Sequence, residues 1–457
     1  MADDPILVAL ASCNPNEALE PGDLRFVDFD DIRGIALRQR LLRLLKAADT
    51  KQDYAKVAVA GHRGSGKSTE LNRAQAELQD KGYFTLWASV NQNLDPKEIS
   101  FSDVIRLIVQ LIDDAFGHET VNHPDLKQAF DVVQRWFQEV TKTFTEKINS
   151  AKKLGLQAQI GGGVEAEAGG EAGLLAKGGL KIKTELGKLS AAISVLRSSE
   201  GSERTEIRET LERYNSQLVE NVNSLLRAVS AVCCGEKPLV VILDNVDKYE
   251  PEVVNTAFLR AADLYRDLDS HLIFTIQSSL LHHPIEDRVD QSFTTVLLPM
   301  LPIFQKRTRD LDQTVAERIR EAVYKRVPKD LFANEETTSQ LIRASGGCWR
   351  DLLRLLEEAL LRADARIGPS DAKGALQQVG QTYQRLLRNP EDLKTLAEVH
   401  LKHTALSDET TQYLLHHLCL LSYNGEGWYD IHPLLDRYAP VQEAIEAARK
   451  VATALPE

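Results

Sequence analysis

The sequence predicts an α/β fold. A parallel sheet with helices on both faces carries a phosphate-binding loop, and an all-α lid and a C-terminal helix-and-hairpin unit of winged-helix type follow. Three observations lead there. Gly61-His62-Arg63-Gly64-Ser65-Gly66-Lys67-Ser68-Thr69 fits the spacing G-x-x-x-x-G-K-[ST] at every fixed position. Leu239-Val240-Val241-Ile242-Leu243-Asp244 is a buried-type strand that ends in a carboxylate. From Leu301 onward the chain changes to helical periodicity.

The chemistry explains the first spacing. Gly61, Gly64 and Gly66 let the backbone wrap a phosphate with its N–H groups inward. Ser65 and Thr69 complete the loop, Lys67 reaches the β- and γ-phosphates, and the Ser68 hydroxyl is placed to hold Mg²⁺. Lys56 to Ala60 reads as the strand before the loop, and Ser68 to Leu78 as the helix after it. That helix points its positive end at the phosphates. ATP or ADP with Mg²⁺ is the expected ligand.

The chain has 457 residues, 43% hydrophobic and 27% charged, which is enough for two or three domains. A net charge of −12 argues against a general nucleic-acid or anionic-membrane binder. Cys13, Cys233, Cys234, Cys348 and Cys419 form no C-x-x-C pair, so reduced thiols and a cytoplasmic location are expected. The start lacks a basic n-region, and no apolar run is long enough to span a membrane.

The expected organisation is an ATPase domain over 1–300, a helical lid over 301–369 and a winged-helix-like domain over 370–457. Before the loop, Phe26 to Phe29 and a helix from Ile35 to Ala48 lead in. Arg33 and Gly34 read as a helix N-terminal turn or, as resemblance to related ATPases implies, as contacts to the nucleotide base. Tyr83 to Val90 reads as a second strand, with helices at 100–116 and 125–150. Ten of the 26 glycines then fall between Gly155 and Gly187. This insert at about 151–200 reads as a mobile or partner-ordered linker, as small hairpins, or as a membrane- or effector-engaging hairpin. A helix from Ser202 to about Val232 returns to the sheet.

Asp244 is the expected second Mg²⁺ ligand. Asn245 follows it, and an amide cannot take a proton from water, so slow hydrolysis is expected, with Asp247 as a substitute base. On the next strand, from His271, Gln277 and Thr275 either sense the γ-phosphate or close the strand. Arg288 reads as a surface residue or, as resemblance to related ATPases implies, as a finger arginine toward a neighbour's nucleotide, ahead of a fifth strand from Thr294 to Leu298. Gly346-Gly347-Cys348-Trp349-Arg350 opens a helix whose Arg350 bends back to the phosphates. Leu406 to Leu421 reads as a helix, and Ser422 to Ile431 as a hairpin turning at Asn424-Gly425.

The loop, the Leu243-Asp244-Asn245-Val246-Asp247 stretch and the Gly-Gly-x-x-Arg turn resemble AAA+ ATPases of the origin-initiator and STAND branches. Ile431-His432-Pro433-Leu434-Leu435 is similar to the Met-His-Asp-Leu region of NB-ARC switches, with Pro433 in place of the Asp. The resemblance implies that His432 contacts the ADP β-phosphate; a packed residue closing the wing is the other reading. It also implies a switch in which nucleotide state controls homo-oligomerisation or engagement of a partner or effector protein, in bacterial relatives often in antiphage defence. A large insert is likewise found in KAP-type ATPases, where it carries transmembrane helices that are missing here.

The alternative is a DNA-binding initiator or loader. Ser407 to Asp436 contains no Lys or Arg, which disfavours DNA reading by the winged-helix-like unit. Lys306, Arg307, Arg309, Arg318, Arg320, Lys325 and Arg326 form a basic stretch that keeps this alternative open. His400 and His403 alone are too few ligands for a metal site.

Overall fold

The computed structural model describes residues 4–95, 97, 99–153, 215–235, 237–282, 293–306, 308–423 and 428–454. The glycine-rich insert, Arg288 and the Asn424-Gly425 turn lie outside the described residues. By contacts the chain groups into two units. One comprises 1–99, 240–262 and 271–457; the other comprises 100–239 and 263–270.

The first unit opens with helix α1 (Pro5–Ala11), the single turn α2 (Asp30–Arg33) and helix α3 (Leu37–Thr50). Strand β1 (Lys56–Ala60) then runs into the loop and α4 (Lys67–Asp80), followed by β2 (Phe84–Ser89). The second unit holds α5 (Phe101–Phe116), α6 (Pro124–Lys153) and α7 (Asn215–Val232). Ser100 and Asp103 close a capping box at the start of α5, which satisfies two otherwise orphaned backbone donors. In the same unit Asn223 donates to the Asp267 carbonyl at 2.6 Å and accepts from the Asp269 amide at 2.8 Å.

Strands β3 (Leu239–Asp244), β4 (His271–Ile276) and β5 (Thr294–Leu297) complete a sheet of order β2-β3-β4-β1-β5. The β1–β4, β1–β5 and β3–β4 pairings are parallel. β3 and β4 are buried at every position, as a strand covered on both faces must be. Leu37, Leu41 and Leu45 of α3, with Leu71, Ala74 and Leu78 of α4, pack on Val57, Val59, Val240 and Ile242. Because β4 lies between β1 and β3, its C-terminal end separates the phosphate loop from Asp244.

A second core forms around helices α8 (Gln313–Tyr324), α9 (Glu335–Ala344), α10 (Trp349–Arg362), α11 (Pro369–Gln384) and α12 (Pro390–Lys402). The chain ends in α13 (Glu409–His416), an antiparallel pair β6 (Leu420–Tyr423) and β7 (Trp428–Ile431), and α14 (Ala439–Ala454). Ala9, Cys13, Val27 and Phe29 from the N-terminal segment belong to this core. Two expectations change here. The helix read over Leu406 to Leu421 stops at His416, because Leu418 takes a left-handed φ of 60°. The fully buried Leu420 and Leu421 that follow pair with Ile431 and Asp430 as strand. The amphipathic α14 has no counterpart in the sequence reading.

The basic stretch is also resolved. Arg318 donates to the Asp28 carbonyl (3.0 Å), Lys325 to that of Phe26 (2.9 Å) and Arg326 to that of Arg25 (3.2 Å). Arg320 meets Glu335 and Ser339, and Arg309 pairs with Asp430 at 2.6 Å. Arg318, Lys325 and Arg326 thus tie the helical region to the N-terminal segment, and Arg309 ties it to β7, while Arg307 lies outside the described residues.

The turn into α10 supplies a test. Gly347 has φ +83° and a Cβ there would lie 2.1 Å from the Leu301 carbonyl oxygen, whereas Gly22 has φ +86° in open space. Backbone strain alone costs about 1–3 kcal/mol at either site. Gly347→Ala is therefore expected to lower the urea unfolding midpoint more than Gly22→Ala does. Equal losses would show that Leu301 yields to the methyl group.

Candidate functional site

The phosphate loop emerges from the middle of the sheet and is held from four directions. Gly61 N–H donates to the Ile276 carbonyl on β4 at 3.2 Å. Arg33, almost fully buried at the end of α2, donates to the Ser65 carbonyl at 2.5 Å and faces Glu70 at 3.8 Å. Burial pushes its guanidinium pKa down, against the pull of Glu70. The lid reaches the loop through the Trp349 amide, which donates to the Gly64 carbonyl at 3.0 Å, and the Cys348 thiol, 3.6 Å from the Arg63 carbonyl. The C-terminal hairpin reaches it through Ser422, whose amide donates to His62 Nε2 at 2.9 Å.

Gly64 shows why the spacing requires glycine there. Its φ is +82°, and a Cβ would lie 2.7 Å from Arg350 Cβ and 2.8 Å from Cys348 Sγ. The lid helix sits directly on the loop, and only a residue without a side chain fits between them.

Lys67 differs from expectation. Its ammonium is turned onto the carbonyls of Gly61 and His62, both at 2.8 Å, and onto Asp247 Oδ2 at 2.9 Å. Asp247 also accepts from the Thr275 hydroxyl at 3.1 Å. Burial opposes the Asp247 charge, but Lys67 and Thr275 outweigh it and hold the pKa below the usual carboxylate range.

Asp244 lies at the end of β3, 2% exposed, with Ser68 hydrogen-bonded to its side chain. Its Oδ1 is buried without a hydrogen-bond partner. Burial, and then the Asp247 charge, push its pKa up. An orphaned carboxylate oxygen beside a hydroxyl fits a hard divalent cation, so Ser68 and Asp244 suit Mg²⁺.

A cleft holding about 970 Å³, its open mouth included, runs from this loop along the N-terminal segment. Gly64, Gly66, Lys67, Ser68, Thr69, Arg33, Asn245, Asp247 and Arg350 line it. Arg350 Nε is buried there without a hydrogen-bond partner. Thr69 Oγ1 accepts from the Leu19 amide at 3.1 Å, which lays residues 15–19 against the loop helix. Asn245 adopts φ 62° and donates its amide to Ser89 Oγ at 2.8 Å, at the end of β2.

Two predicted contacts do not reach the cleft. Gln277 donates to the Asp247 and Tyr249 carbonyls and accepts from Ser279, so its amide holds the segment after β3. His432 is fully buried, with Nε2 3.2 Å from Asp351 Oδ2 and Nδ1 accepting from the Leu434 amide at 3.2 Å. Its ring stacks on Tyr383 at 4.3 Å. Both ring nitrogens are thus engaged by Asp351 of α10 and by the Leu434 amide. The sequence reading missed Pro15 to Leu19, Arg326 and Trp349 in the cleft wall. It also missed His62, because the motif leaves that position free.

The chain matches the AAA ATPase domain over residues 36–274, more than half its length. It belongs to that family. The AAA ATPase domain therefore spans β1 to β4, both nucleotide motifs and the α5–α7 unit. No curated protein matches significantly. Solved structures that are similar include Cdc6p from Pyrobaculum aerophilum, 12% identical with a TM-score of 0.36, covering 96% of this chain and 98% of that one. Another is the Aeropyrum pernix ORC1 protein in complex with DNA, 12% identical with a TM-score of 0.36, covering 95% and 97%. Among the described residues no helix is long and apolar enough to cross a membrane.

Two outcomes are expected. Lys67→Ala abolishes binding of a fluorescent ATP analogue and leaves Asp247 buried without its partner, a loss of about 3–5 kcal/mol in denaturant unfolding. Adding Asp247→Asn restores most of the stability but not the binding; recovery of binding would place the phosphates elsewhere.

The second concerns His62. Burial, and then the Lys67 charge, push its pKa from 6.5 down to about 3. The closed structure therefore holds the ring neutral, and its contribution to stability is full above about pH 6.5 and is lost as pH falls toward 3. Thermal unfolding of His62→Gln should lose less stability over that window than the wild type. Parallel curves would remove His62 from the acid response.

Proposed function

We propose that the protein is an ATP-driven conformational switch of STAND type, in which nucleotide state sets how the lid and C-terminal unit sit on the ATPase domain. One observation carries this reading. The loop that would wrap the phosphates is hydrogen-bonded to both later parts of the chain, through Gly64–Trp349 and His62–Ser422. A phosphate that rearranges the loop must change both contacts, which supplies the differential affinity a two-state switch needs.

We read 1–300 as the ATPase domain, 301–369 as the lid and 370–457 as a winged-helix-like unit that carries the response to a second copy or a partner protein. ATP lies along the cleft with its base toward residues 15–29 and its phosphates at the loop. Lys67 and Arg350 turn to the phosphate oxygens. Ser68 and Asp244 would hold Mg²⁺, which would supply charge neutralisation to the β- and γ-phosphates. Hydrolysis is slow, because the group after the Mg²⁺ ligand is the amide of Asn245, held away on Ser89. A role in bacterial antiphage defence comes from the STAND resemblance alone.

The internal pairing of Arg309, Arg318, Arg320, Lys325 and Arg326, and a hairpin without Lys or Arg, weigh against the initiator reading. Small-angle scattering of the full chain with ATP and with ADP tests the choice. Different radii are expected, with the difference reduced by Arg350→Ala and by His62→Ala. Identical scattering in both nucleotides, or a salt-sensitive submicromolar complex with duplex DNA, would overturn the switch in favour of a static or DNA-loading ATPase.

A further inference from the structure

Three carboxylates line the cleft, and they are placed differently. Glu17 is paired with Arg25 at 2.6 Å on the N-terminal wall. Glu70 is 3% exposed and shared among Arg33, Arg38 and Arg73. Asp247 alone of the three lies against the loop lysine, at the phosphate end. Its carboxylate is aimed by Thr275, which in turn accepts from the Val246 amide at 3.2 Å. Its backbone carbonyl is fixed by Gln277 and by Arg63 Nε. The residue is rigid at both ends. Asn245, by contrast, is locked in a left-handed turn with its amide on β2, and has no proton-accepting form.

We propose that Asp247 is the general base for ATP hydrolysis, restrained by Lys67 until ATP draws the lysine away. This rests on the ATP-site reading above. When Lys67 turns to the β- and γ-phosphate oxygens, Asp247 loses its counter-ion and gains an anionic neighbour in a nearly buried site. Loss of the counter-ion favours the protonated carboxyl, so the carboxylate becomes more basic only once the lysine has turned to the substrate. Water then attacks the γ-phosphorus. Its oxygen forms the new P–O bond and its proton passes to Asp247 Oδ2. The bond from the γ-phosphorus to the bridging oxygen breaks, and the electron pair leaves with ADP. The carboxyl afterwards gives its proton to released phosphate or solvent. The same arrangement accounts for the roles of Thr275 and Gln277, which position the base and its backbone and do not sense phosphate directly.

The test uses the full chain with two readouts, binding of a fluorescent ATP analogue and steady-state phosphate release at saturating ATP. Asp247→Asn keeps the shape, frees Lys67 and cannot accept a proton. It is expected to bind the analogue at least as tightly as the wild type while turnover falls about 10²–10⁴-fold. Asp247→Gly should be equally slow and regain turnover with added formate, which supplies a carboxylate in the vacated space. Phosphate release by Asp247→Asn within about three-fold of wild type, which the general-base magnitude excludes, overturns the assignment. If that variant fails to fold, absence of formate rescue in Asp247→Gly does so, as does a wild type that binds ATP but releases no phosphate. A wild type that binds no ATP instead refutes the ATP-site reading itself, so the two failures are told apart.

Discussion

The buried ammonium of Lys67 is the interaction on which the rest of the site depends. Two loop carbonyls and Asp247 surround it, so it cross-links the end of β1 to the segment after β3 across the intervening β4. A buried charge is tolerated only when it is paired and hydrogen-bonded, and this pairing also fixes the path of the loop backbone. With the loop fixed, the Gly64 carbonyl faces Trp349 and His62 faces Ser422. The lid and hairpin then have a defined surface to dock on. A ligand with a stronger claim on the ammonium than Asp247 changes the support for all of these contacts together.

The geometry also separates two jobs that one residue after the metal ligand often combines. Asn245 terminates the strand by taking a left-handed turn, which asparagine tolerates better than most residues. That turn aims its side chain at Ser89 and carries the chain on to Asp247. The carboxylate therefore enters from two residues further along, between the ends of β1 and β4. Thr275 and Gln277, at the end of β4, then hold the side chain and the carbonyl of Asp247 respectively.

Much of the nucleotide half was legible in the sequence. Gly61 to Thr69 and the apolar run ending in Asp244 are local patterns with a fixed chemical purpose, and they locate loop, strand and helix without knowledge of the tertiary structure. The strands and most helix boundaries fell within a few residues for the same reason. The failures are tertiary. Whether Gln277 or His432 reaches phosphate depends on what else competes for their polar atoms, and backbone carbonyls and Asp351 are invisible in a motif. The partners of the basic stretch could not be read in sequence, because the carbonyls of Arg25, Phe26 and Asp28 lie some 290 to 301 residues away in the chain. Leu418 ended a helix that its apolar neighbours alone would have continued.

The N-terminal segment has a consequence for the way the chain matures. Residues 15–29 wall the cleft on one side, and Val27 and Phe29 are at the same time buried in the core built by residues 300–445. Trp349, Arg350 and Leu353 close the cleft from the lid. During synthesis the phosphate loop leaves the ribosome before the residues that close its cleft, which are not made until the chain has been extended past residue 353. Over that interval Phe29, Val27 and the apolar face of α1 have no core to enter. Domains fold as they emerge, and exposed apolar segments invite association in the meantime. The nascent chain thus carries a nucleotide motif before it has a complete cleft, and completion of the cleft coincides with burial of Ala9, Cys13, Val27 and Phe29.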